Sequence, residues 1–161
     1  MKRKRTTEEL FEAIFVPYNI DVDDDEIAFL YNEASKGDGL AKLCLILLEF
    51  SLSSIHYNFI NGTKDELDEI QKETFIKLEE LGETFPLAYK VAGDLHLAKM
   101  GKIVYHKDVA FAYFRKYVES SGDASLLENF EDYSREAYEK YGEVQNRQQI
   151  LAIRKAFHKL K

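Results

Sequence analysis

Tryptophan is absent from this 161-residue chain, cysteine occurs once and proline twice. The lone cysteine, Cys44, excludes an internal disulfide. It stands in the apolar run Leu43-Cys44-Leu45-Ile46-Leu47-Leu48, where a small side chain suits a packed interior and no neighbouring cation lowers its pKa. An unpaired thiol also suits a reducing compartment. Two prolines and eight glycines leave long stretches without a helix breaker, which disfavours a fold of many short strands. The longest apolar run, around 43–48, falls far short of a bilayer span, so no membrane partner is expected. Lys2-Arg3-Lys4-Arg5 leads straight into Thr6-Thr7-Glu8-Glu9 with no apolar stretch between. No export signal is therefore expected, Asn61-Gly62-Thr63 reads as a turn, and the cytoplasm is the expected location.

Fingerprints of chemistry are missing too. Asp21, Asp23 and Asp25 match the first, third and fifth positions of a calcium loop. That loop also needs a glycine and a distal glutamate, and Glu26 and Asn32 stand in those places. Acids there are better explained by the positive end of a helix dipole. Gly37-Asp38-Gly39 is half of a phosphate-loop pattern but joins helix to helix. His56, His96, His106 and His158 never recur at a metal-binding interval. No catalytic residue, cofactor or metal is expected.

What the chain has in abundance is negative charge, unevenly placed. Its net charge is −7, yet all 29 acids lie between positions 6 and 146 among 13 basic residues, a net −16. The first five residues carry four positive charges, and Arg147 to Lys161 carry five with no acid. An acidic body between basic ends argues against nucleic-acid binding by the body and favours steering toward a basic partner.

Apolar periodicity predicts helices almost throughout. Thr6 to Phe11 reads as a capped start ending before Pro17, and Asp23 to Glu26 opens a second helix that stops at Gly37. Further helices are predicted over 40–58, 64–81, 86–100, 109–120, 125–141 and 144–160, with no convincing strand. Three segments share one plan, an aromatic-bearing helix, a glycine stop and a small residue opening the next helix. The stops, Gly37, Gly82 and Gly122, are 45 and 40 residues apart, within the range of two-helix repeats. A left-handed glycine closes each helix, and small residues such as Ala41 and Ala88 let helices approach.

At these residues the chain resembles the Sel-one-like repeat family, a tetratricopeptide-like group of helical hairpins. Ala88, Ala92-Gly93, His96, Gly101, Asp108, Ala110, Tyr113-Phe114, Lys116 and Gly122 follow that family's order, as does the junction from Leu30-Tyr31 through Ala34 and Gly37 to Ala41. His96 departs from the pattern by replacing an aromatic, the 99–107 loop is altered, and 50–75 match poorly. The resemblance implies protein–protein scaffolding and transfers no catalytic residues. The expected fold is all-α, a short α-solenoid of stacked antiparallel hairpins, with an irregular helical bundle as the alternative. A basic arm and short helix (1–22), a repeat body (23–142) and a C-terminal capping helix (143–161) are the expected parts.

The leading functional expectation is an interaction module whose acidic surface binds a basic protein or peptide, as an adaptor or an immunity-type inhibitor. Candidate partner-binding residues are Glu79, Glu80 and Glu83 around the second stop, and Glu128, Glu131 and Asp132 on the polar side of the 125–141 helix. Tyr89, at the edge of its helix's apolar stripe, reads as an anchor or as packing against a neighbouring unit. Two other classes stay open: a small helical enzyme with a carboxylate site, and a nucleic-acid-linked regulator or DNA mimic.

Overall fold

The computed structural model describes residues 4–15, 22–59, 64–98, 107–122 and 124–136, which are all-helical and contain no strand. The helices are α1 (Thr7–Phe15), α2 (Asp24–Ser35), α3 (Gly39–Phe59), α4 (Lys64–Gly82), α5 (Leu87–Ala98), α6 (Lys107–Ser121) and the single turn α7 (Ser125–Glu128). Residues 130–136 are helical again and are called α8. The expected capping helix over 143–161 lies outside the described residues, as do Gly62, Gly101 and His106.

Helix starts follow local chemistry. The Thr6 hydroxyl accepts the Glu9 N–H at 3.2 Å, and the Glu9 carboxylate accepts the Thr6 N–H at 3.3 Å. Asp23 and Glu26 repeat this reciprocal cap at α2. The Arg5 guanidinium grips both oxygens of Glu26, at 2.6 and 2.8 Å, and so ties the segment before α1 to α2.

The α2–α3 junction shows why glycine stands at 37. Its φ is 95°, its N–H donates to the Ala34 carbonyl and the Asp38 N–H donates to that of Glu33, the paired bonds of a left-handed helix stop. Asp38 then caps α3 by accepting the Leu40 N–H at 3.1 Å. Gly122 ends α6 in the same left-handed region, at φ 78°. Gly82 differs. It has no positive φ, and a Cβ there would lie 2.7 Å from the Tyr89 ring. The second glycine is needed for close approach of a side chain, and it does not turn the chain.

From α2 onward each helix packs mainly on its neighbours in sequence, α2 on α3, α3 on α4, α4 on α5, α5 on α6 and α6 on α7, whereas α1 passes over α2 and packs on α3. Leu10 and Ile14 of α1 are fully buried in the core shared by α1 to α5. A second core gathers Leu97, Ala110, Phe114 and Phe130. Helix α5 feeds both, because Leu95 and Leu97, two residues apart, point to opposite sides. His96, which stands where the repeat pattern has an aromatic, stacks on Phe75 with ring centres 4.7 Å apart.

Cys44 is wholly buried, and burial, aided by the charge of Asp38, pushes its thiol pKa up to about 12. A thiol reagent should leave native Cys44 unlabelled and label it after denaturation. Rapid labelling of the native protein would contradict this placement of α3.

Candidate functional site

Helix α6 separates two acidic surfaces. On one side the Tyr113 hydroxyl donates to Glu79 at 2.8 Å, and burial together with this bond holds the Tyr113 pKa above its usual value. Glu80 and Glu83 are exposed near that end of α4. Phe111, two residues from Tyr113, points round the helix to the other side, toward α7 and α8. The acids nominated from sequence therefore fall into two separate groups.

The second group surrounds a hollow. The 125–141 segment is broken where one helix is expected. Residue 129 is a turn with φ −108° and ψ 24°, and α8 begins after it. At this step the Ser125 carbonyl accepts both the Asn129 backbone N–H, at 3.1 Å, and the Asn129 side-chain amide, at 3.2 Å. The offset opens a hollow of about 250 Å³ lined by Phe111, Leu127 and Phe130 together with Glu128, Asn129, Glu131 and Asp132. Phe130 meets Phe111 edge-on, with ring centres 5.0 Å apart, and is itself buried. Glu128, Glu131 and Asp132 are exposed. Lys107 pairs with Glu131, and Arg135 with Asp132 at 3.1 Å. Among the described residues, the Glu128 side chain makes no hydrogen bond or ion pair.

Tyr89 lies elsewhere and is half-buried. Its ring rests against Gly82, and the Lys116 ammonium stands 5.5 Å above the ring. The edge of the α5 stripe faces the α4–α5 turn, so the ring fills that junction.

Sequence reasoning did not single out Asp94, which is only 1% exposed. Its Oδ2 accepts from Lys90 Nζ at 3.0 Å and its Oδ1 from the Tyr133 hydroxyl at 2.5 Å. The Lys90 ammonium also donates to Tyr133 Oη at 3.2 Å. This cluster fastens α8 to α5 directly behind the hollow. A signal was present: Lys90 and Asp94 are four apart, and Asp94 interrupts an apolar stripe.

Burial raises the Asp94 pKa, while Lys90 and Tyr133 oppose the rise. A carboxyl with a raised folded pKa binds its proton more tightly in the native state. Its contribution to stability is full below the usual carboxylate range and is lost as pH rises through the folded value. The stability of the parent relative to Asp94→Asn should therefore fall as pH rises from about 4. Urea titrations across pH check this, and a difference that grows with pH would show that Lys90 dominates.

No described helix is long and apolar enough to cross a membrane. Among the described residues, no three His, Cys, Asp or Glu side chains are placed to hold a metal. Comparison with protein-family profiles, with curated proteins and with solved structures finds no match to the chain.

Proposed function

We propose that the chain is a protein–protein interaction module that holds a basic protein or peptide on its acidic surface, as an adaptor or an immunity-type inhibitor in the cytoplasm. The observation that carries this reading is the hollow between α6 and α8, where exposed carboxylates surround an apolar floor. Such a floor supplies contact area, and the surrounding charge selects a partner of opposite sign. The helices read as a short α-solenoid of Sel-one-like hairpins. Packing of sequence neighbours from α2 to α7 and the three-residue joint Lys36-Gly37-Asp38 support that reading.

The alternative of a helical enzyme draws on Asp94, a buried carboxyl with a raised pKa. Interaction is favoured because both Asp94 oxygens are already bonded and its side chain is almost closed to solvent.

Affinity capture from the native source, followed by binding of the purified partner at low and high salt, tests the proposal. The expected result is a basic protein whose binding weakens with salt. Recovery of nucleic acid would favour the regulator reading, and an acidic or salt-indifferent partner would contradict the proposal.

A further inference from the structure

We infer that the hollow between α6 and α8 receives a single lysine or arginine side chain of the partner, its aliphatic stem on Phe111, Leu127 and Phe130 and its cationic head at Glu128 and Asp132. This deepens the interaction reading and rests on it.

Size comes first. About 250 Å³ is smaller than the range of roughly 300–1,000 Å³ usual for small-molecule sites, and it suits one inserted side chain. The chemistry of the lining comes next. An apolar floor beneath exposed carboxylates matches the two halves of a long basic side chain, whose methylenes cover apolar surface while the charge stays at the edge. The aromatic faces of Phe111 and Phe130 add attraction for a cation beside them. A neutral apolar side chain would satisfy the floor and leave the carboxylates unmatched, and an acidic one would be repelled.

The chain's own cations illustrate the contact. Lys107, from the first turn of α6, already pairs with Glu131, and Arg135, one turn along α8, with Asp132. The Arg135–Asp132 pair is about two-thirds exposed on both sides, so exchange for an incoming cation costs little. Glu128 needs no exchange, since among the described residues its carboxylate has no polar partner. The acids around the C-terminal end of α4 offer less. Glu79 is engaged by Tyr113, and Glu80 and Glu83 line no part of the hollow. Behind the hollow, the Tyr133–Asp94 bond sets the position of α8, so that Glu131 and Asp132, which precede Tyr133, are presented at a fixed place.

The test is a nitrogen–proton NMR titration of the full chain with three blocked amino acids, acetyl-lysine, acetyl-arginine and acetyl-norleucine N-methylamides. Lysine and arginine should give saturable shifts at Phe111 and residues 127–132, with norleucine about tenfold weaker for want of the charged contact. The double variant Glu128→Gln/Asp132→Asn, whose altered side chains are exposed, should keep the parent spectrum elsewhere and lose about the same factor for lysine. Equal binding of norleucine, or undiminished lysine binding by the variant, would overturn the inference. Oligolysine separates this failure from failure of the broader reading. Saturable, salt-sensitive shifts confined to Glu79, Glu80 and Glu83 would remove the hollow's role and leave an acidic binding surface. No saturable shift anywhere, with blocked lysine or with oligolysine, would overturn both.

Discussion

Reversing Glu128, Glu131 and Asp132 to lysine is expected to slow association with a basic partner by roughly tenfold or more, with a smaller change in the dissociation rate. The asymmetry follows from range. Exposed carboxylates act on the partner before contact, whereas dissociation is set by short-range packing on Phe111, Leu127 and Phe130. Added salt should reproduce much of the effect in the parent, because exposed charges are screened beyond about 8–10 Å at moderate ionic strength. Reversal of Glu79, Glu80 and Glu83 should slow association less, since these acids lie across α6 from the hollow. Stopped-flow mixing resolves the two rates. Equal slowing by the two sets of reversals would place the partner over both faces.

Truncating Phe114 to alanine is expected to lower stability by about 3–5 kcal/mol, near the upper end for a single core side chain. Phe114 is completely buried, and its ring meets Phe130 and Tyr133 edge-on with centres 5.8 and 5.5 Å away. It also lies against Gly93, where a Cβ would approach to 2.6 Å of the ring and 3.1 Å of the Ala110 carbonyl. The α5–α6 hairpin closes on this contact. Gly93→Val should therefore be destabilising by overpacking, on the order of 1–3 kcal/mol, despite the usual penalty for glycine within a helix. Denaturant unfolding measures both. A Phe114→Ala loss below about 1 kcal/mol would mean that the second core is not the element holding α8 to α5 and α6.

What was legible in the sequence was local. The caps at Thr6 and Asp23 and the stops at Gly37 and Gly122 depend on residues within a few positions, and each lies where composition predicts it. The apolar stripes carrying Leu30, Leu78, Val91 and Leu95 were legible for the same reason, since periodicity alone assigns them to a face. Tertiary partners were not legible. Gly82 does end α4, as its place in the sequence predicts, yet the reason for glycine there is the Tyr89 ring from the next helix and not a left-handed turn. The break at Asn129 interrupts a strong helical pattern on either side, and apolar periodicity carries no sign of it. Without that break Glu128, Glu131 and Asp132 form the polar face of a continuous helix, and the hollow they surround cannot be foreseen. The Asp94–Tyr133 bond spans 39 residues, so only half of it, the Lys90–Asp94 spacing, is written locally.

The claim that this helical chain holds a basic partner at its α6–α8 end is tested most directly by amide hydrogen exchange of the complex with the partner recovered by capture. Slowed exchange is expected between 107 and 136, around Phe111 and the segment from Leu127 to Asp132, with α1 to α3 unchanged. Protection centred on α1 to α3, or on the Glu79 to Glu83 end of α4 with none at Leu127 to Asp132, would contradict it.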